Sequence, residues 1–140
     1  MKYAALDIAY YIIDKCTKDL KPITNLQLQK ILYYVFREFL KNGRVLFDDR
    51  IEAWQFGPVV PNVYLEFCMF SSIPIRMYYN VEIDDDDAKI IDQIVLEKRE
   101  LDPWDMVNDT HKQGKAWSSV YDNGRGNKKR IPVELIRQRG

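Results

Sequence analysis

The segment between Thr24 and Asn42-Gly43 constrains the fold of this chain more than any other. Thr24 is a good N-cap and Gln27 stands at N3, the pair that makes a capping box. Leu28, Ile31, Leu32, Val35 and Phe39 then recur at helical spacing. Tyr34, Phe36 and Leu40 widen the stripe until the helix is apolar most of the way round. Such a helix has to be covered on nearly every side, so it predicts a central element and not a surface one. Asn42-Gly43 ends it with residues suited to a left-handed C-cap. At 140 residues the chain can supply the covering shell within about one domain.

The remaining segments read as that shell. Residues 3–18 place Ala5, Ile8, Ala9, Ile12 and Cys16 on one helical face, and Pro22 bounds them. The period then changes. Residues 44–47 form a short extended run, Asp48-Asp49 a turn, and residues 51–56 alternate apolar and polar, which together predict a small β-hairpin. Gly57-Pro58 is expected to break its second strand, and Pro61 to open a third helix to about Phe70. Pro74 restricts residues 71–81 to a loop or an edge strand. Residues 84–101 predict a fourth helix, with aspartates at its start and Lys98 and Arg99 in its last turn, each the favoured end for its charge. Asp102-Pro103 restarts a helix. A short one follows Gly114, and Pro132 opens the last after a polar loop at 122–130. The expected fold is mainly α (α+β), a compact bundle of five to six helices with a small β-hairpin after the second, residues 1–140 forming a single domain.

Charge and rare residues narrow the function. Lys plus Arg and Asp plus Glu are both 21, so no whole-protein basic field exists for holding nucleic acid. The signs separate locally: Glu82, Asp84 to Asp87 and Asp92 oppose only Lys89, and six Lys and Arg from Arg125 to Arg139 oppose only Glu134. No apolar run approaches the ~20 residues that span a bilayer. Asp7 and Asp14 come too early for a signal peptide, and two cysteines make no disulfide framework. The expected location is the cytoplasm, with no membrane contact. A single histidine, His111, argues against catalysts that need several imidazoles.

Each chemical candidate has a structural alternative. In the string from Trp54 through Gly57-Pro58 to Pro61, glycine and prolines fit a tight turn and a helix entry, with Trp54 packed on the central helix. The functional alternative is a rim of Trp54, Phe56, Val59 and Tyr64 that grips a partner, since aromatics enrich interface centres. His111 lacks companions for a metal site, with Cys16 and Cys68 on other helices. As a general base it would need Asp109 or Asp105 to orient it, and a packed, hydrogen-bonded histidine is the commoner arrangement. The run Asp84 to Asp87 lacks the EF-hand pattern and fits a helix N-terminus; Asp85 and Asp86 could alternatively meet a basic protein surface. The loop at 124–130 lacks a phosphate-binding fingerprint, but Arg125 and Lys128 could meet nucleic acid or a protein. In the pairs Tyr10-Tyr11, Tyr33-Tyr34 and Tyr78-Tyr79, adjacent helical residues diverge by ~100°, so one of each pair can face the core and the other the surface, where tyrosines grip proteins.

Three strings add a resemblance. Residues 24–34, TNLQLQKILYY, resemble the opening signature of the Panacea-domain family, also described as SocA-like antitoxins or phage-associated GepA-like proteins. Residues 46–64, LFDDRIEAWQFGPVVPNVY, are similar to the family's longest string. Thr110-His111, then Trp117, then Ile131-Pro132 resemble its late part, although the family often has an acidic residue and a proline shortly before that Trp. The structural motif so transferred comprises Leu28, Lys30, Tyr33, Tyr34, Trp54, Gly57, Pro58, Pro61, Thr110, His111 and Trp117. The resemblance implies an antitoxin that neutralises a cognate protein toxin from a neighbouring gene by direct contact, one branch also delivering its toxin to a cytosolic protease. It implies no catalytic residue, cofactor or metal. The alternative is a nucleic-acid-binding regulator using the basic loop 125–130.

Overall fold

Seven α-helices and a three-stranded antiparallel sheet make up the computed structural model, which describes residues 2–140. The central element is α2 (Asn25–Lys41), and its start shows the capping box: the Thr24 amide donates to Gln27 Oε1 at 2.9 Å, and the Gln27 amide to Thr24 Oγ1 at 3.2 Å. Leu28, Ile31, Leu32, Val35 and Phe36 are buried, as the all-round apolar pattern requires. Packed around α2 are α1 (Ala5–Lys18), α3 (Pro61–Phe67), α4 (Asp85–Lys98), α5 (Pro103–Thr110) and α7 (Val133–Arg139). The short α6 (Ala116–Tyr121) lies against α7 and the sheet.

The mainly α class with a small sheet holds, with more helices than the five to six expected. The hairpin needs correction. Its strands are β1 (Glu52–Trp54) and β2 (Gly57–Val59), pairing Glu52 with Val59 and Trp54 with Gly57. Residues 44–47 form no strand; there the Leu46 carbonyl accepts from the Tyr3 amide at 2.9 Å. Gly57-Pro58 therefore lies inside a strand instead of ending one. Gly57 has φ +122°, which lets the chain reverse within two residues. Pro58 is tolerated because β2 is an edge strand.

The loop at 122–130 needs correction too. Lys129–Arg130 is a third strand, β3, pairing with β1 opposite Glu52 and Ala53. Both its side chains are exposed, so no apolar alternation marks it. The acidic run divides as well. Asp84 caps α4 by accepting from the Asp86 amide at 3.1 Å, and Asp85 and Asp86 are exposed. Asp87, however, is buried, accepting both Arg44 guanidinium nitrogens (2.6 and 3.1 Å) and the Tyr3 hydroxyl (2.7 Å).

Candidate functional site

Most of the transferred motif converges on one buried junction on the side of α2 that faces the sheet. Lys30 is 1% exposed, and its ammonium donates to the Phe56 carbonyl at the β1–β2 turn. Burial pushes its pKa down from 10.5 to about 7. Gly57 makes room for it: a Cβ there would collide with Lys30 Nζ and stand 3.3 Å from Thr110 Oγ1. Thr110, at the end of α5, is buried and donates to the Val107 carbonyl at 3.0 Å.

His111 follows and lies flat on Trp117, with centroids 3.6 Å apart and planes within 3°. Burial first, and the Lys30 charge second, lower its pKa below 6.5, while the Phe56 backbone acts the other way. Its Nε2 is buried without a hydrogen-bond partner. Trp117 stacks on Tyr121 at 4.6 Å and donates its indole N–H to the Trp54 carbonyl at 2.7 Å, fixing α6 to β1. Tyr34 donates to Asp109 at 2.6 Å, tying α2 to α5, and Tyr33 packs edge-on beside it. Leu28 instead belongs to the apolar core, and Pro61 occupies the first turn of α3.

Above the junction opens a cleft of about 730 Å³ between the first turns of α2, the β1–β2 turn, α3 and the start of α5. Among its lining residues, Trp54 and Tyr64 meet edge-on at 4.9 Å. Phe56 and Trp104 do so at 5.4 Å, 47% and 50% exposed. Lys128 places its ammonium 5.2 Å from the Trp54 ring centroid. Val59 also lines the cleft, though it is only 8% exposed. The expected partner-gripping residues Trp54, Phe56, Val59, Tyr64 and Lys128 are thus brought together. Asp85, Asp86 and Arg125 are not. Arg125 is exposed and pairs with Asp122 at 3.3 Å.

Three residues of this region escape a reading of the sequence. Asn25 and Gln29 form a buried amide chain: Gln29 Nε2 donates to Asn25 Oδ1 (3.1 Å), Gln29 Oε1 accepts from the Val60 amide (3.0 Å), and Asn25 Nδ2 donates to the Tyr64 carbonyl (3.3 Å). Two amides four residues apart on a mostly apolar helix are the signal that could have found them. Trp104 reads as an apolar member of α5, but it faces the cleft. Among the described residues no group of three or more His, Cys, Asp or Glu could hold a metal ion. No helix among them is long and apolar enough to cross a membrane.

The fold and site define a mainly α protein in which a buried lysine–glycine junction supports an open aromatic cleft. The chain belongs to the Antitoxin SocA-like, Panacea domain family, which it matches over residues 28–118. It is similar to Antitoxin SocA of Caulobacter vibrioides (strain NA1000 / CB15N), with 30% identity over 135 residues, covering 85% of this chain and 70% of that protein. No solved structure matches it. Membership of this family supports an antitoxin role.

Proposed function

We propose that this protein is the antitoxin of a type II-like toxin–antitoxin pair and neutralises a cognate protein toxin, encoded by a neighbouring gene, by direct binding. The observation that carries the reading is the family match over residues 28–118, which includes the lysine–glycine junction and the four cleft aromatics Trp54, Phe56, Tyr64 and Trp104. Neutralisation works by occlusion: a stable complex covers the toxin's active or target-binding surface, and this chain performs no catalysis. Residues 1–140 act as one Panacea-like unit in the cytoplasm. Trp54, Phe56, Val59, Tyr64 and Lys128 supply the gripping surface. Asp85, Asp86 and Arg125 supply charged surface outside it, suited to steering an encounter. Hand-over of the bound toxin to a cytosolic protease is a further step compatible with a stable complex.

The test is coexpression with the neighbouring gene in a growth assay, followed by pull-down. The expected result is a neighbour that arrests growth alone, is harmless with this chain, and co-purifies with it. A toxic neighbour that is neither rescued nor bound would overturn the reading for that pair.

A further inference from the structure

The walls and charge of the cleft are specific enough to describe what enters it. Two edge-on aromatic pairs, Trp54 with Tyr64 and Phe56 with Trp104, line the same cleft. Phe56 and Trp104 remain half exposed although each already has an aromatic neighbour. Paired aromatics with free faces favour another ring, because offset and edge-on arrangements extend readily to a third member.

Lys30 lies in the floor and Lys128 at the Trp54 wall, and no Asp or Glu is among the lining residues; Glu52, which accepts from the Trp54 indole at 3.0 Å, is itself paired with Arg50 at 3.3 Å. The floor amides cannot neutralise this, since Asn25 and Gln29 spend their hydrogen bonds on each other, on Val60 and on Tyr64. The Lys30 ammonium has three donors, and Phe56 is the acceptor it reaches among the described residues. The slot is therefore an aromatic box whose accessible positive charge is that of Lys128.

We propose that this cleft is the docking groove for an acidic segment of the partner protein that inserts one aromatic side chain between Phe56–Trp104 and Trp54–Tyr64 and sets a flanking carboxylate against Lys128. Taking the partner to be the toxin rests on the antitoxin reading; the chemistry of the slot does not. The aromatic anchor supplies most of the binding, as buried aromatics do at interface centres. The carboxylate supplies selectivity, because a basic segment would meet the Lys128 ammonium with no carboxylate among the lining residues to receive it. Asp85 and Asp86 take no part in the groove. Asp87 beside them is held by Arg44, beyond the end of α2, whereas the groove is built on that helix's first turns. The two lie toward opposite ends of a 17-residue helix about 25 Å long.

The experiment is an NMR titration of the full ¹⁵N-labelled chain with two unlabelled probes, acetyl-Glu-Phe-Glu-amide and acetyl-Lys-Phe-Lys-amide. The three tryptophans give three indole signals, assigned by single Trp→Phe variants. The acidic probe is expected to shift the Trp54 and Trp104 indoles saturably by about 1 mM. Trp117, committed to the Trp54 carbonyl, should stay in place as the fold control. The basic probe should bind at least tenfold more weakly, and Lys128→Glu should abolish the preference while leaving the Trp117 signal unmoved. Absence of a saturable shift, equal response to both probes, or shifts confined to other surfaces would overturn the proposal. In the growth assay, full protection by a folded Phe56→Ala/Trp104→Ala double variant would also overturn it while leaving the antitoxin reading intact. Failure of the unaltered chain to protect would strike that reading, and the titration would still decide the groove.

Discussion

The Lys30 ammonium and the missing side chain of Gly57 compete for one space. A Cβ on Gly57 would collide with Nζ and come within 3.4 Å of Cε, and the backbone there has φ +122°. Gly57→Ala thus strains the backbone and displaces a buried charge from the carbonyl it bonds. The expected cost is about 2–4 kcal/mol, read as a fall in the urea midpoint at unchanged slope. Trp54 and Phe56 should loosen with it, because both residues flank the turn.

Lys30 itself is destabilising where it is charged. Its pKa falls from 10.5 to about 7 on burial, so below pH 7 the buried charge costs roughly 5 kcal/mol. Lys30→Met removes that cost but leaves the Phe56 carbonyl without its donor, a loss of about 1–3 kcal/mol. The variant should be the more stable protein at pH 6. Between pH 7 and about 10 the unfolded chain keeps the proton that the folded chain has released, so the unaltered protein gains stability as pH rises. The advantage of Lys30→Met should shrink across that window. Thermal melts of both proteins from pH 6 to pH 10 check the sign.

Asp87 behaves oppositely. The Arg44 guanidinium holds its carboxyl below the ordinary 3.8, burial opposes this, and the Tyr3 hydroxyl adds to the lowering. A depressed carboxylate contributes stability above its unfolded value and loses it as pH falls through the folded one. Asp87→Asn should therefore cost about 2–3 kcal/mol at pH 7, since it breaks a buried pair whose arginine is partly solvated. The difference from the unaltered protein should begin to shrink as pH drops below about 4 and vanish only below the depressed folded value. Urea midpoints at pH 7, 5 and 3 measure it.

These two charges also show how far the sequence could be read. The α2 boundaries and capping box follow from residues within one turn of each other, and local chemistry decides such features. Trp54, Phe56, Val59 and Tyr64 were identifiable as a group because they sit in one continuous string around a turn. The errors are all long-range. Residues 44–47 look like a strand, but the amide that meets them comes from Tyr3, over forty positions away. Lys129–Arg130 looks like solvated loop, but its backbone pairs with β1. Asp87 is indistinguishable from its neighbours until Arg44 and Tyr3 reach it. Lys30 sits in a helical sequence where lysine usually marks the wet face, and only the arrival of β2 and α5 shows that it is the dry one. Trp104 joins the cleft for the same reason.

The groove and the acidic turn of α4 should separate in binding kinetics. An inserted ring is held by desolvated contacts, so Phe56→Ala should raise the dissociation rate of the complex with the proposed toxin by at least tenfold, nearly independently of salt. Asp85 and Asp86 are exposed, and charges in that position act through the field met during approach. Charge reversal of both to Lys should change the association rate by several-fold at low salt. That effect should fade by about 0.5 M salt, with dissociation barely altered. Surface plasmon resonance at two salt concentrations distinguishes the two behaviours. A salt-insensitive change in dissociation from the Asp85/Asp86 reversal would move the acidic turn into the contact surface itself. A Phe56→Ala effect confined to association would remove the ring from the anchor role, because a side chain that only guides an encounter does not hold the complex once formed.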